Sequence, residues 1–213
     1  MAKNKKNIAV DVGIICAAIF IFLLIGSLKG SFFLPIDNLV YSWNSTIPKP
    51  MIPLVMMLIS DIMSPGGAIF LGAVALIALL GLKRPKQAAM LVLAMAIGYI
   101  ATEIIKSLLQ RPRPEIRLAH SVGFSFPSAH ATMAAVYFGL MIILFKDDFK
   151  HKAARYIFIA LCALAGLLVS YTRIYLGAHW LSDVLAGIAL GLFIIAAVVL
   201  ALKKGPMPTK QKL

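Results

Sequence analysis

The sequence predicts an all-α integral membrane protein, a bundle of six transmembrane helices with a short interfacial helix after the first span. Hydrophobic residues occupy 61% of the 213 positions and charged residues only 14%, so the chain has too little polar surface to cover a water-soluble globule. Mean hydropathy is +0.93. Spans of about 20 residues, each crossing a hydrocarbon core of about 30 Å, would use most of this length. We therefore expect a single domain over residues 1–213.

The spans follow from the order of the apolar runs. Residues 51–63 are apolar but end near Asp61 and a Ser-Pro-Gly-Gly sequence, which predicts a short interfacial helix and then a break. Residues 31–50 contain several prolines and Trp43, a composition typical of a loop or membrane-surface segment. The first run is too long for a signal peptide and is expected to remain as a span. The runs expected to span the membrane are residues 8–28, 66–82, 88–109, 129–145, 153–171 and 181–202.

Basic residues predict the orientation. The net charge is +13, but the lysines and arginines cluster between apolar runs, so we expect a membrane explanation and no nucleic-acid partner. The clusters lie at the N-terminus, after the second span, after the fourth span and in a basic tail at 203–213. The positive-inside rule places these segments and both termini in the cytoplasm. The loops around 31–50, 110–127 and 172–180 are then on the extracytoplasmic side.

The first polar motif is a group of positive charges at the end of the third span. Lys106, Arg111 and Arg113 lie close together in the sequence, and Pro112 and Pro114 favour an extended path for the arginines. A lone lysine at a helix end can simply extend to the interface, whereas charges at membrane depth normally mark a functional site. The three cations together favour an anion-binding site.

The second motif begins the fourth span. Pro127 and Ser128 lead directly into an apolar helical run, so Ser128 is a natural N-cap, and the free backbone N–H groups there can receive phosphate oxygens. His130 then lies in the first turn of the helix and faces the bound anion. Taken alone, Ser128 could be only a cap and His130 only an interfacial polar residue.

The third motif lies at the start of the last span. His179 and Asp183 are four residues apart, so a helix would stack them on one face, where the carboxylate accepts a proton from the imidazole and orients a nucleophile. Taken alone, the two residues could be a polar pair that satisfies buried groups. The predicted topology places all three motifs on one side of the membrane, which independent interfacial residues would not require.

Together the motifs resemble the signature of the type 2 phosphatidic acid phosphatase superfamily of membrane lipid phosphatases. That signature reads Lys-x6-Arg-Pro, Pro-Ser-Gly-His and Ser-Arg-x5-His-x3-Asp. Lys106 and Arg113 with Pro114 match the first part at full spacing. The second part is matched except for Ala129 at the glycine position, and the third with Thr172 in place of serine. The resemblance covers roughly the second half of the chain.

The resemblance implies a two-step displacement at phosphorus. His179 would attack and form a phosphohistidine, Asp183 would orient and stabilise its imidazole, and His130 would protonate the leaving oxygen and then activate water. No metal and no cofactor are expected, because the site already supplies three cations. The residues that the resemblance assigns to the phosphate oxygens are Lys106, Arg113, Ser128, Ala129 and Arg173.

The polar residues outside the signature have weaker assignments. Glu103 lies one helical turn before Lys106 and is expected to pair with it. Arg111, Arg117 and His120 could contact an anionic headgroup or remain solvated loop residues.

Three other groups of residues complete the sequence prediction. Asp61 is expected near the mouth of the site as a surface polar residue. Cys16 and Cys162 lie in apolar runs and are expected to be inert. Gly187 and Gly191 should allow close approach of helices.

The resemblance implies a hydrolase of a bacterial-type plasma membrane whose active site is extracytoplasmic. Its expected partners are a lipid phosphate substrate and the surrounding membrane lipids, and the residues leave the oligomeric state open. Undecaprenyl diphosphate, phosphatidylglycerol phosphate and phosphatidic acid are the candidate substrates. A lipid phosphotransferase using the same intermediate is the nearest alternative. A phospholipid transporter is less favoured, since the sequence has no internal repeat of the transporter type.

Overall fold

The computed structural model describes residues 2–28, 32–46, 52–115, 118 and 122–202. Over these residues the fold is helical and contains no β-strand. The α-helices are α1 (Ala2–Leu28), α2 (Leu34–Thr46), α3 (Ile52–Asp61), α4 (Pro65–Gly81), α5 (Pro85–Leu109), α6 (Ala129–Phe145), α7 (Lys152–Tyr175) and α8 (Leu181–Leu202).

The spans agree with the predicted bundle. Within the described ranges, α1, α5, α6, α7 and α8 are each long and apolar enough to cross a membrane. The bent pair α3 and α4 meets at 52° and together qualifies as a sixth span. Ser64 stabilises the bend, because its hydroxyl donates to the Asp61 carbonyl at 2.8 Å and accepts from Gly67 N–H at 3.2 Å. The all-α membrane bundle is thus confirmed, with five candidate spans and a sixth when the bent pair is counted as one span.

Within residues 31–50, which were expected to form a loop or a membrane-surface segment, Leu34–Thr46 form helix α2. Its sequence is only weakly apolar, but Asp37 and Asn44 are buried and make distant contacts. The Asn44 side-chain amide donates to the carbonyl oxygens of Ile174 and Tyr175, each at 3.0 Å. These contacts dock α2 on the end of α7, which is why a polar segment forms an ordered helix rather than a loop.

Helix α7 extends beyond its predicted end at residue 171. Thr172 and Arg173 continue it to Tyr175, because both polar side chains are buried and have partners inside the protein. The basic tail at 203–213 lies outside the described residues. The single-domain organisation remains a prediction.

The packing of α8 on α6 requires small residues. A Cβ atom added at Gly187 would lie 2.6 Å from the Ser128 carbonyl oxygen, and one added at Gly191 would lie 2.7 Å from that of Thr132. The glycines therefore permit the close approach that the sequence predicted. Where the helices begin, the Ser128 N–H donates to the carbonyl oxygen of Asp183 at 3.0 Å. The second and third motifs consequently lie side by side.

The two ends of the bundle differ in character. At one end, the α4–α5 and α6–α7 connections are joined by two hydrogen bonds between Arg84 and Asp148, at 2.6 and 2.8 Å. Asp147 pairs with Arg155 at 3.0 Å on the same side. At the other end lie the C-termini of α5 and α7 and the N-termini of α6 and α8. The three sequence motifs meet at this second end.

Candidate active site

A cavity of about 900 Å³ opens where the three motifs meet. One wall combines the ends of α5 and α7, the start of α6 and the turn before α8, and the other wall is largely apolar and comes from α3, α4 and α5. Six of the eight predicted site residues line it: Lys106, Arg113, Ala129, His130, Arg173 and His179. The apolar lining includes Met57, Met63, Ile69, Met95 and Tyr99.

Three cationic side chains share this cavity. Lys106 lies in the last turn of α5, where its Nζ is 3.0 Å from Oε1 of Glu103, so the predicted pair forms. Arg173 lies in the last turn of α7 and its Nη1 donates to Ser60 Oγ at 2.5 Å. Arg113 follows α5 and completes the group. Three positive charges around one cavity favour an anionic ligand, particularly where burial weakens solvent screening.

Helix α3 contributes more to the site than its sequence indicated. Ser60 is buried and holds Arg173, although 113 positions separate the two residues. Asp61 is exposed and lines the cavity, as expected for a polar residue at the mouth. The sequence carried no signal for Ser60, because a single serine in an apolar run is ordinary in a membrane helix.

Arg113 holds the turn that carries His179. Its Nη1 donates to the Ala178 carbonyl at 2.8 Å and lies 3.0 Å from His179 Nε2. Its Nε and Nη2 donate to the carbonyl oxygens of Gly123 and Val122 at 3.0 and 3.1 Å. A guanidinium group has no acceptor, so Nε2 of His179 must be the acceptor in this contact. The imidazole proton is therefore on Nδ1.

The pairing of His179 with Asp183 arises differently from the predicted helical stack. Helix α8 begins at Leu181, so His179 lies in the turn before it and the expectation of two residues on one helix face is wrong. The Asp183 Oδ2 atom instead reaches back to the start of its helix and accepts from Trp180 N–H at 3.0 Å. This places Oδ2 3.5 Å from His179 Nδ1, which is close enough for an electrostatic contact, but Nδ1 makes no hydrogen bond among the described residues.

The protonation state of His179 follows from its surroundings. Burial lowers the pKa of His179 well below its usual value, and the nearby charges of Arg113, Arg173 and Lys106 lower it further. The imidazole is consequently neutral near pH 7. With its proton on Nδ1, the ring has its lone pair on Nε2, where it accepts from Arg113 in this structure. A nucleophile requires such a lone pair.

The start of α6 supplies hydrogen-bond donors. Ser128 is the N-cap residue, as predicted, but its hydroxyl makes no capping hydrogen bond, and Oγ is buried without a partner among the described residues. Ala129 and His130 are the first two residues of the helix and line the cavity. Their backbone N–H groups have no acceptor within the helix, and the positive end of the helix dipole lies beside them. This helix end suits an anion.

Arg111 was expected to contact an anionic headgroup or to be a solvated loop residue, and the structure shows neither. It makes two short ion pairs, from Nη1 to Asp183 Oδ1 at 2.6 Å and from Nη2 to Asp37 Oδ2 at 2.7 Å. It is therefore neither a headgroup contact nor a solvated loop charge. Asp37, at the other end of this bridge, belongs to none of the three motifs, and an acidic residue in a weakly apolar segment gave no signal of this role.

The remaining predicted residues have simpler outcomes. Cys16 and Cys162 are buried and free. Arg117 and His120 lie outside the described residues. In the part of the chain that the structure describes, no group of three or more His, Cys, Asp and Glu side chains is placed to hold a metal ion. The described site thus combines three cations, helix N–H groups and a neutral imidazole, an arrangement that can bind a phosphate group and attack it.

Comparison with known families and sequences relates these motifs to lipid phosphatases. A profile of the PAP2 superfamily matches residues 87–205, which include all three motifs. Phosphatidylglycerophosphatase B of Bacillus subtilis is 31% identical over 114 residues, or 51% of this chain and 55% of that protein. Lipid A 1-phosphatase of Rhizobium johnstonii is 37% identical over 84 residues, covering 38% of this chain and 30% of that protein. The matched segments span about half or less of these relatives.

Two solved structures have a similar fold. A transmembrane PAP2 type phosphatidylglycerolphosphate phosphatase from Bacillus subtilis superposes with a TM-score of 0.78 at 22% identity, covering 86% of this chain and 93% of that one. Aquifex aeolicus LpxE superposes with a TM-score of 0.60, also at 22% identity, covering 78% and 93% of the two chains. At this identity the superpositions show the shared helical fold.

Proposed function

Because this chain belongs to the PAP2 superfamily, we propose that it is a membrane enzyme that removes phosphate from a lipid phosphate or lipid diphosphate. The observation that carries the proposal is the contact of Arg113 with Nε2 of His179, 3.0 Å long, in a cavity shared by three cations. This contact puts the lone pair of His179 on Nε2, beside the guanidinium that would bind the phosphate. The apolar wall from α3, α4 and α5 suits an acyl or isoprenoid chain.

The proposed first step transfers the phosphoryl group to His179. Its Nε2 forms a bond to phosphorus while the bond from phosphorus to the lipid oxygen breaks. His130 donates a proton to the departing oxygen. Asp183 stabilises the imidazole as it becomes positive, because its Oδ2 lies 3.5 Å from the Nδ1–H group.

The proposed second step regenerates the enzyme. Water attacks the phosphohistidine, His130 accepts a proton from that water, and the bond between phosphorus and Nε2 breaks to release orthophosphate. Asp183 keeps the imidazole oriented in both steps.

In this proposal, cationic side chains and hydrogen-bond donors around the cavity would hold the phosphate. Lys106, Arg113 and Arg173 would contact its oxygens, together with the Ser128 hydroxyl and the N–H groups at the start of α6. Arg113 would exchange its contact with Nε2 for a phosphate oxygen, while its bonds to the neighbouring carbonyl oxygens keep it in place. Since these cations can balance the phosphate charge, the proposed reaction needs no metal ion.

The proposed site faces the extracytoplasmic side of the plasma membrane. The positive-inside rule supports this orientation, because the connections at the opposite end of the bundle carry Lys83, Arg84, Lys86, Lys150 and Lys152. Both termini would then be cytoplasmic.

The substrate class follows from the division of the cavity into a cationic wall and an apolar wall. Phosphatidylglycerol phosphate, phosphatidic acid and undecaprenyl diphosphate each combine a phosphate group with a long apolar chain. The cationic wall would recognise the phosphate, and α3 and α4 would contact the chain. Comparing kcat/KM for these three lipids in one preparation would rank them.

The test is orthophosphate release by the purified protein in detergent with a chelator present. We expect release from at least one of the three lipids and a fall of about 1,000-fold or more in His179→Ala, because the nucleophile is lost. His151→Ala, on the exposed connection at the other end of the bundle, is the matched control and should retain activity. Equal release by the wild type and His179→Ala would overturn the proposal. Lipid dephosphorylation without orthophosphate would indicate transfer to another acceptor.

A further inference from the structure

We propose that Asp37 on α2 is a positioning residue for the reaction, acting through Arg111 on Asp183. This inference rests on the proposed function, because it concerns the group that stabilises His179 during attack. Neither Asp37 nor Arg111 lines the described cavity. Their role would be to keep the Asp183 carboxylate fixed beside the imidazole and to leave the cluster of two carboxylates and one guanidinium with a net negative charge.

Both carboxylate oxygens of Asp37 accept hydrogen bonds at the start of α8. Its side chain is buried, with Oδ1 accepting from Ser182 N–H at 2.9 Å. Its Oδ2 accepts from the Ser182 hydroxyl at 2.6 Å and from Arg111 Nη2 at 2.7 Å. A carboxylate at this position also interacts favourably with the positive end of the α8 dipole. Asp37 therefore fixes the segment that carries Asp183, across 145 positions of sequence.

Arg111 connects the two carboxylates directly. Its Nη1 donates to Asp183 Oδ1 at 2.6 Å and to Ser182 Oγ at 2.7 Å, while Nη2 is bound to Asp37. The guanidinium also lies over the Trp180 ring, with 5.9 Å from Cζ to the centroid. The Asp183 carboxylate is thus held at Oδ1 by Arg111 and at Oδ2 by the Trp180 N–H, which aims Oδ2 at His179.

The charge of Asp37 matters as well as its geometry. Two buried carboxylates share one guanidinium in this cluster, so one negative charge remains to stabilise the imidazole when it becomes positive. If Asp37 were neutral, Arg111 would balance Asp183 alone. The phosphohistidine and the transition state leading to it would then lose stabilisation, whereas phosphate binding in the cavity would change little.

A purely structural role for Asp37 makes a different prediction. Asn44 lies on the same helix, is also buried, and ties α2 to the carbonyl oxygens of Ile174 and Tyr175 at 3.0 Å each. If Asp37 only docks α2, then removing Asn44 should damage the enzyme in the same way. If Asp37 acts through Arg111, only its replacement should affect the chemical step.

The experiment compares Asp37→Asn with Asn44→Ala in the purified full chain. For Asp37→Asn we expect kcat to fall by about 10-fold to 100-fold, the range typical of a residue that orients a functional group through a neighbour. KM should stay within about threefold, because the substrate contacts are intact. Asn44→Ala should keep kcat within about threefold of the wild type, even if its Tm falls.

Arg111→Lys is the second variant and keeps the inference testable if Asp37→Asn does not fold. A lysine retains the charge but cannot hold both carboxylates with a planar fork, so kcat should fall with little change in KM. Equal kcat losses in Asp37→Asn and Asn44→Ala would overturn the inference, as would a loss confined to KM. The wild type and His179→Ala belong in the same series. Absent wild-type activity, or activity unaffected by His179→Ala, would instead contradict the proposed function.

Discussion

At the scale of residues, the neutral protonation state of the His179 imidazole follows from the groups around it. The ring is buried beside Arg113, which can only donate, and within a group of cations that disfavours an additional positive charge. Burial and these charges lower the pKa of His179, so its neutral form persists below the pH at which an exposed histidine becomes protonated. The proposed nucleophile would therefore remain available in mildly acidic solution.

The lowered pKa of His179 can be tested by its reaction with diethylpyrocarbonate, which reacts with the neutral form of an imidazole and not with the protonated form. An unperturbed histidine with a pKa near 6.5 should react about tenfold more slowly at pH 5.5 than at pH 7.5. His179 should react at nearly the same rate at both values, because its pKa lies well below the usual one. Mass spectrometry of the His179 peptide gives the rate, with N-acetylhistidine in the same tube as control. A parallel fall in both rates would contradict the assignment.

The site residues differ in how far sequence could predict them. Lys106, Arg113 and His179 belong to motifs whose spacing is visible, so their meeting in one cavity could be anticipated. Arg111 and Asp37 could not be assigned, because their bond joins positions 74 residues apart and depends on how α2 docks. The spacing of residues in a motif predicts contacts within one helix or turn. It does not predict a contact between distant segments, such as that of Arg111 with Asp37.

At the scale of elements, the two short helices have roles that their composition did not predict. The region of α2 was expected to form a loop or a membrane-surface segment, and that of α3 a short interfacial helix. In the structure, Asp37 of α2 binds the N-terminal end of α8, and Ser60 of α3 binds Arg173. Each contact is made by one polar side chain in a segment of ordinary interfacial composition. The hydrophobic pattern located these segments but could not indicate their partners.

In the turn between α7 and α8, the sequence predicted the contact between two side chains but not the backbone structure that brings them together. The four-residue spacing of His179 and Asp183 correctly suggested that the side chains meet, although the assumed single helix was wrong. Trp180 explains the outcome, because its N–H binds Asp183 Oδ2 at 3.0 Å and folds the turn back towards the carboxylate. A capped turn and a continuous helix can bring the same pair together, and spacing alone does not distinguish them.

At the scale of the whole molecule, composition was sufficient for the fold class. The apolar runs predicted the spans, and the structure places motifs from three separate parts of the chain at one end of the bundle. The ion pairs of Arg84 and Arg155 lie at the other end. Because the two ends of the bundle carry different residues, the proposed orientation can be tested without measuring activity.

Labelling of introduced cysteines tests which end faces outward. Cys16 and Cys162 are buried and free, and replacing both by alanine removes the native thiols with the loss of one sulfur atom at each position. Val122→Cys lies at the site end and Lys150→Cys at the other end, and both positions are exposed. In intact spheroplasts, a membrane-impermeant maleimide should label Val122→Cys, whereas Lys150→Cys should require permeabilisation. The reverse pattern would place the site in the cytoplasm.

The most direct test of the central claim is to trap the covalent intermediate. Purified protein would be mixed with a lipid phosphate carrying radiolabelled phosphorus and quenched in alkali, since phosphohistidine is labile in acid. The mechanism predicts label on the peptide containing His179, lost when unlabelled substrate is added and absent from His179→Ala. Label on a different residue, or turnover by His179→Ala at the wild-type rate, would contradict it.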